Sequence, residues 1–401
     1  MRPLAVSCYT MTSCLGRGIA PTLAALKAQR SGLVPCAFET VALDTWIGEV
    51  AGIAEAPLGD ELARFDCRNN RLARIGLEQD GFADAVRDAI ARHGAERVGV
   101  FLGTSTAGIL QTELAYRERD ARDGALPEWF RYAETHNTYS VADFVSHYFS
   151  LSGPALVVSA ACASSAKVFG NAARMMEAGL VDAAIVGGVD TLCLTTLYGF
   201  HSLELVSTLP CRPFDAARDG LSIGEAAAFL LVERVDRVDG SGGAPDGVPR
   251  VTGVGESSDA HHMSSPHPEG AGARRAMEAA LASAGITASD IDYINLHGTA
   301  TRNNDAVEDR AVSGLFGDRV PVSSTKGATG HTLGAAGGVE AVIALLAMRE
   351  GFVPAGLNTT TIDPVLSSDY RLVNSPCRID RVLSNSFGFG GANCSLVFER
   401  G

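Results

Sequence analysis

No stretch of about 18 uninterrupted apolar residues occurs in this sequence, so a membrane-spanning helix is not expected. Positive charge is not in excess: 33 Lys and Arg stand against 46 Asp and Glu, a formal net charge of −13. That balance argues against nucleic acid as the main partner. The nine cysteines are odd in number and never fall in CxxC spacing, so neither a disulfide framework nor a zinc pattern emerges. The first ten residues lack signal-peptide organisation. Together these absences point to a reducing compartment, and the cytoplasm is the expected location.

What the chain has is glycine and apolar residues. With 401 residues, 44 glycines, 46% hydrophobic and 20% charged residues, it suits one large or two fused α/β domains with many tight strand-to-helix turns. Strands are expected at 4–8, 98–102, 155–158, 183–186, 227–232, 251–254, 293–296, 320–323, 371–373, 382–384 and 394–398. Helices are expected at 21–29, 163–178, 271–284, 307–315 and 333–349, with one long amphipathic helix over 71–93. The Gly-, Asp- and Pro-rich stretch 236–249 reads as a linker. Strands and helices alternate on both sides of it, although self-similarity between the two sides is weak.

Four segments carry candidate chemistry. In Val158-Ser-Ala-Ala-Cys-Ala-Ser-Ser-Ala166 a strand runs through a small-residue turn into a helix. The turn puts Cys162 beside a helix N-terminus, which favours a thiolate nucleophile; the alternative is a small buried cysteine. Asp292-Tyr-Ile-Asn-Leu-His-Gly-Thr-Ala-Thr301 delivers His297 from a strand to a glycine turn. In Ser323-Ser-Thr-Lys-Gly-Ala-Thr-Gly-His-Thr-Leu-Gly334, Lys326 and His331 flank a turn that opens a long apolar helix. Asn385-Ser-Phe-Gly-Phe-Gly-Gly-Ala-Asn393 reads as a glycine-rich loop between two C-terminal strands. Alone, His297 could be a strand-end histidine, His331 a helix cap and the last loop a hairpin turn.

All four together, in this order, resemble the elongating β-ketoacyl-acyl carrier protein (ACP) synthases, the decarboxylating Cys-His-His branch of the thiolase-like condensing enzymes. Pro213-Phe-Asp-Ala-Ala-Arg-Asp-Gly220 and Ser258-Asp-Ala-His-His-Met-Ser-Ser-Pro-His267 add to the resemblance, which runs over nearly the whole chain. It implies an α/β fold with a thiolase-like five-layered α-β-α-β-α core made of two pseudo-duplicated halves. Residues 1–240 would be the half with Cys162, and 250–401 the half with His297, Lys326 and His331.

By the same resemblance Cys162 takes the acyl group from acyl-ACP. His297 and His331 are neutral donors to the malonyl thioester oxygen during decarboxylation of malonyl-ACP. Lys326 gives electrostatic and structural support. The backbone N–H groups of Cys162 and Phe389 form the oxyanion hole, and Phe389 is a gating aromatic. Thr299, Thr301 and Ser264 meet the phosphopantetheine arm of ACP, which is the substrate carrier; no other cofactor is implied. Asn295, Glu308, Glu340 and Ser386 surround a buried monovalent cation or an ion-pair network. His261, His262 and His267 match no standard metal spacing, and no catalytic metal is expected. The partner is a second copy or a related ketosynthase-like subunit, with Thr106 at the far wall of the partner's acyl pocket.

Departures concern the substrate. Arg302-Asn-Asn-Asp305 replaces the usual continuation after Thr301, and Gly103-Thr-Ser-Thr-Ala-Gly108 is more polar than the usual turn. These leave bulk fatty-acid synthesis and a specialised aryl-polyene or polyketide-like pathway both open. Two other readings are a non-catalytic chain-length-factor-like subunit, which usually lacks the nucleophile, and a coenzyme A-dependent thiolase-like enzyme. ACPs are acidic, so docking needs a local basic patch. Arg64 and Arg68 are the favoured contacts; Arg71, Arg74, Arg117, Arg119 and Arg122 are further candidates.

Overall fold

A computed structural model describes residues 1–235 and 247–401. Most of the expected linker at 236–249 therefore lies outside the described residues. Ten strands carry the architecture. In the first half they are β1 (Leu4–Ser13), β2 (Val98–Gly103), β3 (Ala155–Val158), β4 (Ala183–Asp190) and β5 (Ala226–Arg234). In the second they are β6 (Arg250–Ser258), β7 (Tyr293–Asn295), β8 (Pro321–Ser323), β9 (Arg381–Gly388) and β10 (Ala392–Glu399).

The spatial order is β3-β2-β4-β5-β1 in the first half and β8-β7-β9-β10-β6 in the second. Both read third, second, fourth, fifth, first. In both, the first three neighbours are parallel and the last two pairings antiparallel. The halves thus repeat one topology even though their sequences hardly do. They touch where β1 meets β6, at Leu4–Val251 and Ala5–Arg250.

The helices are α1 (Ile19–Lys27), α2 (Arg68–Leu77), α3 (Phe82–His93), α4 (Ile109–Arg117), α5 (Ser140–Phe149), α6 (Ser164–Glu177), α7 (Leu194–Ser202), α8 (Ala271–Ala284), α9 (Arg302–Phe316) and α10 (Ala336–Glu350). α6 and α10 pack against each other and against strands of both sheets. Helices α2, α3 and α5 cover the outer face of the first sheet, and α8 with α9 that of the second. This is the five-layered thiolase-like arrangement. Because helices cover both faces, the inner strands read as apolar runs rather than alternating ones: every residue of β2 and β4 is buried. α10 is buried from Ala336 to Met348 and amphipathic nowhere, as a central-layer helix must be.

Several expected boundaries move. The long helix over 71–93 is two helices, α2 and α3. The break falls where Asp80 and Gly81 adopt positive φ (55° and 70°). Asp80 is not a helical surface residue there: its carboxylate accepts the Ile19 N–H at 3.0 Å and the Thr10 hydroxyl at 2.7 Å. It thereby satisfies an open donor at the start of α1. The loop expected at 385–393 is mostly strand, since β9 runs to Gly388 and only Phe389–Gly391 turns. The strand expected at 371–373 lies at Asp369–Tyr370. Helices α4, α5 and α7 are additions to the elements the sequence announces.

Candidate functional site

Cys162 sits where β3 hands over to α6, at the N-terminal end of a central-layer helix. Ala161 takes a positive φ of 49° to make the turn. The Ser164 hydroxyl accepts the Ala160 N–H at 2.9 Å and closes it. Gly103 permits the packing beneath: a Cβ there would lie 2.3 Å from the Ser165 nitrogen, so the end of β2 reaches the first turn of α6 only as glycine.

The second half supplies the histidines. His297 follows β7 by two residues, and Glu308 on α9 holds that turn by accepting the N–H groups of His297 (2.8 Å) and Gly298 (2.7 Å). His331 follows the single helical turn Lys326–Thr329 and precedes α10. The Sγ of Cys162 lies 3.1 Å from His331 Nε2, and the imidazole rings stand 5.2 Å apart, edge to face. One ligand-type atom from each of Cys162, His297 and His331 falls within a span of 4.8 Å. All three residues are buried.

The hydrogen bonds fix both tautomers. The Leu333 N–H donates to His331 Nδ1 at 3.1 Å, so a neutral His331 carries its proton on Nε2. The Lys326 ammonium stands 3.3 Å from His297 Nδ1, which assigns the His297 proton to Nε2 as well. Burial first, and then the Lys326 charge, push both imidazoles well below their ordinary range, with His331 adding to the effect at His297. Both rings are therefore neutral donors through Nε2.

The thiol differs from its sequence expectation. Burial pushes Cys162 up to about 11, against the opposing pull of the Lys326 charge and of the Phe389 and Cys162 N–H groups. Desolvation of the anion outweighs the helix end, and the resting group is a thiol. The same two N–H groups are the ones the family resemblance implies for an oxyanion hole, and both address the sulfur.

Lys326 is 2% exposed. It pairs with Glu340 and donates to the His297 carbonyl oxygen. Glu308 belongs instead to the His297 turn. Burial raises both Glu308 and Glu340 to about 7. Asn295 Oδ1 is buried without a hydrogen-bond partner, and Ser386 Oγ and the second Glu340 oxygen have none beyond each other. Oxygen donors of this kind suit a hard monovalent cation.

A cavity of about 560 Å³ opens onto Cys162, His297 and His331, and Thr299, Thr301, Ser264 and Phe389 line it too. The Thr299 and Thr301 hydroxyls lie 2.9 Å apart. The Phe389 ring stacks on Phe200 of α7 at 5.6 Å. Phe200 escapes a reading of the sequence because α7 is short and buries only Leu197 fully, so no apolar stripe announces the helix. An aromatic two residues before the helix end is the only signal.

Several residues expected to face partners also have partners inside this chain. Thr106 donates to Asp190 at 2.8 Å. Arg68 is no free docking group: its Nε donates to buried Glu225 at 2.8 Å and its Nη2 to Glu49 at 3.3 Å. Glu225 in turn accepts the N–H groups of Val50 and Leu192. Arg71 is bound twice by Asp66. Arg64 remains exposed, over the Phe65 ring and with its Nη2 2.6 Å from His147 Nε2. Arg68→Glu should lower stability by about 3–5 kcal/mol, the usual loss when a buried charge keeps no partner. Urea unfolding checks this; an unchanged midpoint with weaker ACP binding would return Arg68 to the docking surface.

Comparison with known proteins gives a consistent result. Residues 3–237 match the model of the β-ketoacyl synthase N-terminal domain, and 249–360 that of the C-terminal domain. The chain is 38% identical over 317 residues to a 3-oxoacyl-[acyl-carrier-protein] synthase 2 of Rhizobium meliloti, covering 75% of this chain and 74% of the relative. It is 33% identical over 371 residues to the enzyme of that name in Staphylococcus aureus, covering 86% and 87%. Among solved structures, the ketosynthase ApeO in complex with its chain length factor ApeC, from Xenorhabdus doucetiae, aligns with a TM-score of 0.89. The identity there is 36%, with 100% of this chain and 98% of that one covered. A β-ketoacyl synthase from Burkholderia phymatum aligns at 0.87 with 30% identity, covering both chains fully.

Proposed function

Because the chain belongs to the β-ketoacyl synthase family, we propose that Cys162, His297 and His331 carry out a decarboxylating condensation of ACP-bound substrates. The enzyme is an acyltransferase. The observation that carries the assignment is the convergence of one thiol and two Nε2–H imidazoles within 4.8 Å in a single cavity.

In the first half-reaction the Cys162 sulfur attacks the acyl thioester of acyl-ACP. Its C–S bond to the pantetheine breaks, and the Cys162 proton leaves with the departing thiol. In the second, the malonyl C–C bond to the carboxylate breaks and CO₂ departs. The electron pair moves onto the thioester enolate, whose oxygen takes hydrogen bonds from His297 and His331. The carbanion attacks the acyl group on Cys162. The resulting oxyanion faces the N–H groups of Cys162 and Phe389, and collapse releases the Cys162 sulfur. Lys326 acts electrostatically, holding His297 by its carbonyl and Nδ1.

Thr299, Thr301 and Ser264 suit the phosphopantetheine arm, which enters by the cavity they line; no further cofactor is used. Phe389 must leave Phe200 before an acyl chain enters, and the positive φ of Gly390 and Gly391 (77° and 74°) suits such a moving turn. A monovalent cation would sit among Asn295, Glu340 and Ser386 and take their oxygens as ligands. The halves divide at 1–240 and 250–401. Nine free cysteines favour a cytoplasmic location, and no helix among the described residues is long and apolar enough to cross a membrane.

The likeness to a ketosynthase solved with its chain length factor favours a specialised pathway and a heterodimer over bulk fatty-acid synthesis. A chain-length-factor role for this subunit itself is opposed by the intact Cys162. The test is product analysis with malonyl-ACP and a panel of acyl-ACPs, with and without a related partner subunit. Elongation of polyunsaturated or aryl primers that needs the partner supports this reading. Partner-independent elongation of saturated chains overturns the pathway and leaves the reaction.

A further inference from the structure

We propose that Asp190 is a positioning residue that holds His331 in its Nε2–H form beside Cys162. The inference rests on His331 acting as a neutral donor in the condensation. Asp190 ends β4 and is completely buried. Its carboxylate accepts the hydroxyls of Thr104 (2.6 Å) and Thr106 (2.8 Å), and the N–H groups of Ser105 and Thr106 (both 2.8 Å). Its second oxygen accepts the Gly334 N–H.

That last bond reaches the other half of the molecule. Gly334 follows Leu333, which is held at a positive φ of 53°, a conformation few leucines adopt. In that conformation the Leu333 N–H points back at His331 Nδ1, 3.1 Å away. Asp190 thus anchors the residue after the strained one, and the strained one selects the tautomer. On the other side, the Ser105 hydroxyl reaches the carbonyl of Ala161, next to the nucleophile, at 3.5 Å. One carboxylate therefore joins the turn bracing Cys162 to the turn presenting His331. Gly334 has no room to be anything else: a Cβ would lie 2.8 Å from Asp190 Oδ2. Burial pushes the Asp190 carboxyl upward; the two hydroxyls and the backbone N–H groups oppose it. The polar turn that departs from the family pattern is, on this account, the set of donors that a buried Asp190 requires.

Asp190→Asn tests this, since its amide N–H₂ would face donors. Folded variants made with ¹⁵N-labelled histidine are compared by NMR, with the His331 signals assigned by their loss in His331→Ala. The wild type should show a bare Nδ1 and a protonated Nε2. Asp190→Asn should show a mixture of tautomers. Its kcat for malonyl-ACP decarboxylation should fall at least about 10-fold, with KM nearly unchanged, as a displaced catalytic group does. Thr104→Val, which removes one hydroxyl donor from the same carboxylate without adding bulk, loosens the anchor more mildly and decides the matter should Asp190→Asn not fold. An unchanged His331 tautomer and unchanged kcat in a folded variant overturn the proposal. A wild type that neither condenses nor decarboxylates overturns the reaction instead, and the tautomer measurement still stands on its own.

Discussion

Cys162→Gln should abolish condensation while malonyl-ACP decarboxylation continues. The two activities separate because they use different atoms of one site. On the proposed assignment, condensation needs a covalent acyl group on the Cys162 sulfur. Decarboxylation needs only the malonyl thioester oxygen against His297 and His331, both of which are neutral donors whatever stands at 162. A carboxamide there occupies the acyl thioester's position, with its oxygen near the N–H groups of residues 162 and 389. Cys162 is 6% exposed and borders the cavity that Phe200 and Phe389 also line, so the longer side chain has to extend into that cavity. Carbon dioxide release from malonyl-ACP, followed beside product formation, checks this. Loss of both activities in a folded variant would mean that the sulfur takes part in decarboxylation as well.

His297→Ala and His331→Ala should act on the other half-reaction. Each removes one donor from the developing enolate, which typically raises the barrier by about 2.7–4 kcal/mol, a rate loss of roughly 10²–10³. Acyl transfer to Cys162 should survive, because neither ring can accept the thiol proton through Nε2: in both the proton is already there. The variants should differ in degree. His331 touches the sulfur at 3.1 Å, so its loss should also slow acylation somewhat, whereas His297 acts through Lys326 and the enolate alone. Single-turnover acylation and malonyl-ACP decarboxylation, measured separately, distinguish these effects. Failed acylation with unimpaired decarboxylation in both variants would reverse the assignment.

The features legible in the sequence are those set by neighbours along the chain. Cys162 is fixed by a strand, a small-residue turn and a helix within about twenty residues, and the structure has all three. His297 and His331 stand at glycine turns that local composition announces. The alternation of strands and helices on both sides of the linker is legible, but the shared topology of the halves is not: the sequences barely resemble each other, and only the family resemblance implied it. What cannot be read depends on distant contacts. The hydrophobic spacing over 71–93 continues across Gly81, and only the docking of α1 on Asp80 explains the break. Arg68 looks like a surface cation until Glu225, 157 residues away, is brought against it. The protonation of Cys162 escapes the sequence for the same reason: a helix N-terminus is local, whereas the burial that outweighs it is built by both halves.

Cys162, despite its resting thiol, should be the one sulfur that carries the acyl chain. Intact-mass spectrometry after brief incubation with acyl-ACP, followed by peptide mapping, tests it most directly. One added acyl mass per chain is expected, mapped to Cys162, absent from Cys162→Ala and retained in His297→Ala. An adduct on Cys211 or Cys14, whose sulfurs also border the Lys326–Thr329 turn, or an adduct persisting in Cys162→Ala, would contradict it.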